Sequence, residues 1–269
     1  MTVLPASPFR IDPGQPFRIA DQPTQVDLFD SRKAAKKQAA EHADAISDLA
    51  HKLYGEADRK LLIVLQGMDT SGKDGTTKSI FQSTPPLNVR VAAFKSPTKH
   101  ELAHDYLWRV HREVPGKGQI VLFNRSHYED VLVVKVREFV DAETVEQRYA
   151  QINDFERLLV ETGTTVLKFM LHISPEVQAE RLRDRLVNPD KRWKFNPGDL
   201  DDRKLWPEFM EAYETMVTRT STEHAPWYVI PSDEKKTRGA IVAELVRETL
   251  EGMGLEYPDP GYRVEDFEI

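Results

Sequence analysis

The sequence predicts an α/β protein: a three-layer fold with a five-stranded parallel sheet, helices on both faces and a helical lid. Three observations carry that expectation. Short apolar runs alternate with longer amphipathic stretches. The runs are continuous rather than alternating in polarity, as in strands buried on both faces. Each gap between runs is long enough for a helical crossover. The candidate strands are 60–66, 89–94, 119–124, 164–172 and 226–231.

The first thirty residues hold five prolines (Pro5, Pro8, Pro13, Pro16, Pro23) and show no helical periodicity. Residues 1–30 are therefore expected to form an extended arm, lying on a neighbour, lying on the body, or disordered. From Ser31 to Tyr54 the pattern turns helical, with Ala35, Ala39, Ile46, Leu49 and Leu53 on one side. A helix over Thr76 to Gln82 follows the first main strand. Thr98 and Glu101 form a capping box that opens a helix toward Val114. Ser174-Pro175 supplies an N-cap and a first-turn proline for a helix running to about Val187. Asp201 or Asp202 is expected to cap another, with Leu205, Phe209, Ala212 and Met216 at helical spacing. Without repeats or long linkers, residues 31–269 are expected to be one domain.

Composition narrows the function classes. The chain has 269 residues, with 37 Lys and Arg against 44 Asp and Glu, for a net charge of −7. That balance argues against a general nucleic-acid binder, though a local basic cluster can still serve an anionic substrate. Apolar runs such as Leu61–Leu65 fall far short of the ~20 residues a membrane helix needs. Met1–Phe9 lacks the pattern of a signal peptide, so a cytoplasmic location is expected. With no cysteine, disulfides, thiolate metal sites and a cysteine nucleophile are excluded.

The strongest motif is Gly67-Met68-Asp69-Thr70-Ser71-Gly72-Lys73, set between a strand and a helix. Gly-x4-Gly-Lys in that setting is a phosphate cradle: backbone N–H groups turn inward, the helix dipole adds positive potential, and Lys73 reaches the outer phosphate. Thr70, Ser71, Gly75 and Thr76 extend the candidate phosphate site. Two positions depart from a common nucleotide loop. Asp74 replaces the metal-binding Ser or Thr and is expected to point to the surface, and Asp69 lies inside the loop. A bare carboxylate there would repel phosphate, which makes sense if Asp69 holds a magnesium ion.

The second motif is Asn124-Arg125-Ser126-His127-Tyr128-Glu129-Asp130, at the carboxyl end of the third strand, where ligands of open α/β sheets bind. Arg125 can meet phosphate bidentately. Glu129 or Asp130 is a candidate for holding metal or orienting an acceptor, beside Asn124; Ser126 or Asp130 can equally cap the loop. The third feature, residues 181–204, carries eight basic residues against five Asp. Arg181 and Arg185 share one helix face. Asn188-Pro189-Asp190 then breaks the helix ahead of Lys191-Arg192-Trp193-Lys194, which reads as a lid closing on a polyanion. Asp105, Arg109 and His111 are further candidates for the acceptor site.

Together these motifs resemble the polyphosphate kinase 2 family, relatives of thymidylate kinase with a P-loop kinase fold. The matching segments are GMDTSGKDGT (67–76), FKSPTKHELAHDYLWRVH (94–111), FNRSHYEDVLVVKV (123–136) and NPDKRWKFNPGDL (188–200), within a likeness from about Phe29 to near Pro258. The resemblance implies phosphoryl transfer between inorganic polyphosphate and a nucleotide, dependent on Mg2+ with Mn2+ as an alternative ion. It matches Asp69 to metal binding, Lys73 to phosphate binding, Arg125 to the arginine of the second motif, and 181–204 to the lid. Other members have Asp where this chain has Asn124, so metal binding here would lean on Asp69 and Glu129. The Asn-Arg-Ser-His-Tyr-Glu-Asp version resembles the branch accepting both AMP and ADP, with guanine nucleotides as further candidates. Dimers or tetramers are also implied. Two other readings share parts of the pattern: an ATP-dependent nucleoside monophosphate kinase, and a nucleotide-binding module without turnover. A GTPase switch is not expected, since no Asn-Lys-x-Asp motif is present.

Overall fold

A computed structural model describes residues 2–87, 89–263, 265 and 267. Its centre is a six-stranded sheet in the order β1-β6-β5-β2-β4-β3. The strands are β1 (Arg10–Ile11), β2 (Lys60–Gln66), β3 (Val89–Ala93), β4 (Ile120–Asn124), β5 (Thr164–His172) and β6 (Trp227–Pro231). Strands β2 to β6 run parallel, as their continuous apolar runs predict. The expectation of an all-parallel five-stranded sheet is corrected by β1, which pairs antiparallel with β6. The proline-rich segment thus covers an edge that would otherwise be open. It lies on the body of its own chain, with Leu4, Phe17 and Ile19 buried. Tyr228 Oη donates to Pro5 O at 2.7 Å, and Ile19 N donates to Glu214 at 2.8 Å.

Successive residues of a strand face opposite sides, and β2 uses both. Leu61, Ile63 and Leu65 join α1 (Arg32–Glu56), α2 (Lys73–Phe81) and α10 (Lys235–Gly252) in one core. Leu62 and Val64 face α6 (Ala142–Glu161) and α9 (Trp206–Thr220) in the other. The apolar stripe of α1 is the predicted one, extended by Ala43 and Ala50. Ser174 caps α7 (Pro175–Val187) by accepting from Val177 N.

Two helix expectations change. The Thr98 capping box is present, but it opens only α3 (Lys99–Leu102); a second single turn, α4 (Trp108–His111), follows. Between them Asp105 Oδ1 accepts from Leu107 N at 3.0 Å, a side-chain turn that competes with helix continuation. Asp201 and Asp202 do not cap α9. They lie inside α8 (Gly198–Lys204), and α9 starts at Trp206 with Pro207 in its first turn. A further short helix, α5 (Val133–Val136), follows the second motif.

A charged cluster lies inside the core. Lys168 Nζ on β5 donates to Glu156 Oε2 (2.6 Å), Tyr128 Oη (2.8 Å) and Thr220 O (2.7 Å). Glu156 also accepts from Tyr128 Oη at 2.7 Å. Among the described residues no helix is long and apolar enough to cross a membrane.

The register sets Leu65 beside Asn124, so the loop after β2 and the turn after β4 emerge together. The starts of α7 and α10 rise from the same edge of the sheet.

Candidate active site

The loop after β2 owes its path to two glycines. Gly67 has φ 147°, and a Cβ there would lie 2.7 Å from Leu171 O. Gly72 has φ 109°, and a Cβ there would lie 2.3 Å from Arg238 Nη1. Glycine is required at Gly72 twice over, for its dihedral and for the guanidinium packed against it. Gly72→Ala is expected to lower kcat/KM at least about tenfold, because the loop or Arg238 must move. Steady-state kinetics beside an unchanged far-UV spectrum check this; parental kinetics would show that the close packing is unimportant.

Lys73 begins α2, buried, with Nζ donating to Gly67 O (2.6 Å) and Met68 O (3.3 Å). Burial, with the charge of Arg125 beside it, pushes its pKa down to about 8. Among the described residues the buried hydroxyls of Thr70 and Ser71 have no hydrogen-bond partner. Unpaired hydroxyls and an ammonium with a donor to spare suit phosphate oxygens. Thr76 belongs beneath the loop instead: its hydroxyl is buried and accepts from Arg238 Nε at 2.8 Å.

Arg125 sits at φ 62°, and its amide donates to Leu65 O at 3.1 Å, tying the turn to β2. Its guanidinium meets Asp69 at 2.5 Å and Glu129 at 3.5 Å. Burial raises the Asp69 pKa, but Arg125 and Lys73 outweigh it and hold the carboxyl below its usual range. Gln66, with its amide nitrogen turned toward Glu129, donates to that carboxylate at 3.0 Å. Among the described residues no three His, Asp or Glu gather to hold a metal. Asp69 and Glu129, both on Arg125, nevertheless fit Mg2+, which commonly uses one or two carboxylates plus substrate phosphates. Asn124 points elsewhere, donating to Asp74 Oδ1 at 2.9 Å. Asp74 is exposed, as expected, yet paired: it also accepts from Lys194 Nζ at 3.3 Å.

A cavity of about 400 Å3 opens over the loop, lined by eight cationic side chains and three carboxylates. Arg181, Arg185, Lys191 and Lys194 line it as expected. Arg192 does not: it is exposed, and its Nε donates to Leu186 O at 3.1 Å. The other two cations, Lys235 and Arg238, come from the start of α10 and carry no local motif. The signal that could have found them is position, because α10 follows the carboxyl end of a parallel strand.

The acceptor candidates divide. Arg109 lines a second cavity, of about 480 Å3, with Phe94, Lys95 and Glu101. Its Nη1 donates to Lys95 O at 2.7 Å. Asp130 lies 4.0 Å from Arg109 and 3.6 Å from Arg148. Burial raises its pKa to about 6 against the pull of those arginines. Asp130 thus serves arginines rather than the loop. Asp105 turns the chain before α4, and His111 is exposed and edge-on to Phe155 at 5.5 Å, outside this cavity.

Cations gathered round a glycine-hinged turn, at the carboxyl edge of parallel strands, define an α/β protein built to bind phosphates. This chain belongs to the polyphosphate kinase 2 (PPK2) family, whose model matches residues 29–257. It is 48% identical over 254 residues to the AMP/ADP-polyphosphate phosphotransferase of Meiothermus ruber, covering 94% of this chain and 95% of that one. It is 36% identical over 264 residues to the ADP-polyphosphate phosphotransferase of Rhodopseudomonas palustris, covering 93% and 91%. The crystal structure of polyphosphate kinase 2 from Arthrobacter aurescens TC1 matches with a TM-score of 0.91 and 38% identity, covering 96% and 93%.

Proposed function

We propose that this protein is a polyphosphate-dependent nucleotide kinase, moving a phosphoryl group between inorganic polyphosphate and AMP or ADP to form ADP or ATP. The observation that supports it best is the surplus of cations over carboxylates lining the cavity above the loop. A single phosphate needs no such row, whereas a chain of phosphates does. The names of the two relatives point the same way.

In this reading the loop amides and Lys73 hold the phosphoryl group being transferred. Arg125 neutralises charge as it spreads over the equatorial oxygens, and Arg181, Arg185, Lys191 and Lys194 hold the chain behind it. An oxygen of the nucleotide's terminal phosphate attacks the phosphorus, and the P–O bond to the rest of the chain breaks. Both groups are already ionised, so no general base is required. Asp69 and Glu129 would hold magnesium (or manganese), whose charge offsets that of the phosphates when it is bound. Residues 181–204 serve as the lid, and Arg109 with its neighbours faces the acceptor. The same reading makes guanine nucleotides further acceptors and puts the enzyme in the cytoplasm as a homo-oligomer.

The test is product analysis of AMP with polyphosphate and Mg2+ in the absence of ATP. ADP and then ATP are expected, and a chelator should stop their formation. ADP appearing only when ATP is supplied would make the protein an ATP-dependent monophosphate kinase. Polyphosphate binding without any product would make it a module without turnover.

A further inference from the structure

We propose that Lys235, at the start of α10, forms a distal phosphate subsite that makes long polyphosphate a better donor than short. This rests on the polyphosphate reading above and extends it to chain length.

Half of the eight cations over the loop are neutralised within the protein. Arg125 pairs with Asp69 (2.5 Å), Lys191 with Asp184 (2.5 Å), Lys194 with Asp74 (3.3 Å) and Arg185 with Asp199 (3.1 Å). Among the described residues Lys73, Arg181, Lys235 and Arg238 form no ion pair. Lys73 belongs to the loop, and the other three adjoin one another. Arg181 donates to Thr70 O (2.9 Å), Ser232 O (2.9 Å) and Asp233 O (2.6 Å). Arg238 donates to Ser71 O (3.0 Å) and shares Ser232 O (3.3 Å). Two buried guanidiniums thus meet at Ser232 O, with the Thr76 hydroxyl as the one side-chain acceptor of Arg238 among the described residues.

Such an arrangement is costly by itself. Burial, then repulsion from Arg181, pulls the Arg238 pKa down to about 10, and burial followed by Arg181 and Lys191 lowers that of Lys235. Asp184, Asp233 and Glu234 act on these cations only from beyond ion-pair distance, and like charges so held are relieved by an anion that enters from solvent. The carbonyls fix the guanidiniums, and the exposed Lys235 ammonium extends the row outward.

The Arg238 guanidinium lies on the loop itself, against Gly72 and Ser71 O, so the part of the row away from the transfer point is the Lys235 ammonium. Arg125 follows β4 and α10 follows β6, on opposite sides of the loop strand β2 in the order β6-β5-β2-β4. Three strand spacings of about 4.8 Å separate them, roughly 14 Å in all. A donor of three phosphoryl groups placed at Arg125 and the loop ends short of α10, whereas a long chain continues across it.

The experiment compares kcat/KM for long-chain polyphosphate and for tripolyphosphate, with AMP as acceptor, in the parent, Lys235→Ala, Lys235→Arg and Arg238→Lys. Lys235→Ala is expected to lower the long-to-short ratio about fivefold through KM, the loss of one exposed ionic contact. Lys235→Arg restores the ratio, whereas Arg238→Lys, which disturbs the loop, lowers turnover with both donors alike and leaves the ratio unchanged. In Lys235→Ala, a ratio unchanged or an equal fall of kcat with both donors overturns the subsite. If the parent uses neither donor, the polyphosphate reading fails as well, which is a different result from turnover with an unchanged ratio.

Discussion

Lys73→Ala is expected to lower kcat with polyphosphate by about a hundredfold or more, the size of one lost transition-state contact. Lys73 is a buried cation of the glycine turn itself, and two of its three donors are spent on Gly67 O and Met68 O. The third is free for an oxygen that gains charge as the phosphoryl group moves. Fixed in this way the ammonium needs no rearrangement during the reaction, and its worth is greater than in water. Its pKa of about 8 adds a second readout. The charged form is the active one, so kcat/KM of the parent should fall as pH rises through about 8, because that parameter reports the free enzyme. Rapid-quench and steady-state assays measure both effects. Turnover of the alanine variant within tenfold of the parent would take Lys73 out of the mechanism.

The largest effect on stability is expected at Lys168, far from the phosphates. Its three donors all have partners, and neither Lys168 nor Glu156 is exposed to solvent. Burial alone would raise the Glu156 pKa; Lys168, helped by His127, reverses that and keeps the carboxylate ionised. Lys168→Met keeps most of the volume but leaves the charge of Glu156 without its counterion. A loss of about 3–5 kcal/mol follows from breaking a buried pair on one side. The double variant Lys168→Met with Glu156→Leu should recover part of the loss, because the uncompensated charge is gone. Chemical denaturation of the three proteins decides it. A single variant within about 1 kcal/mol of the parent would mean that water reaches Glu156 or that the pair adds little.

Much of the architecture is legible in the sequence, for local reasons. Leu61–Leu65 and Ile120–Phe123 are buried on both faces, so an unbroken apolar run is enough to mark them as strands. Ser174-Pro175 starts α7 through contacts within four residues. The Gly67–Lys73 turn is equally local: the glycines, Asp69 and Lys73 are neighbours in sequence and in space. The expectations that fail are those where local preference met a competitor. Asp105 takes a backbone donor and splits the helix expected from Thr98 to Val114. Arg10 and Ile11 have too little pattern to read as a strand until β6 offers them an edge.

By itself, then, the sequence determined the five parallel strands, the glycine turn after β2 and the cationic stretch behind it, because each is specified by residues close together along the chain. Only the tertiary structure decided which of those cations keep a free charge. Arg192 turns away, Lys191 and Lys194 meet carboxylates, and Arg238 comes back from 167 residues beyond Ser71 to lie against Gly72. Coulomb energy and burial depend on distance through space, and no local spacing records it.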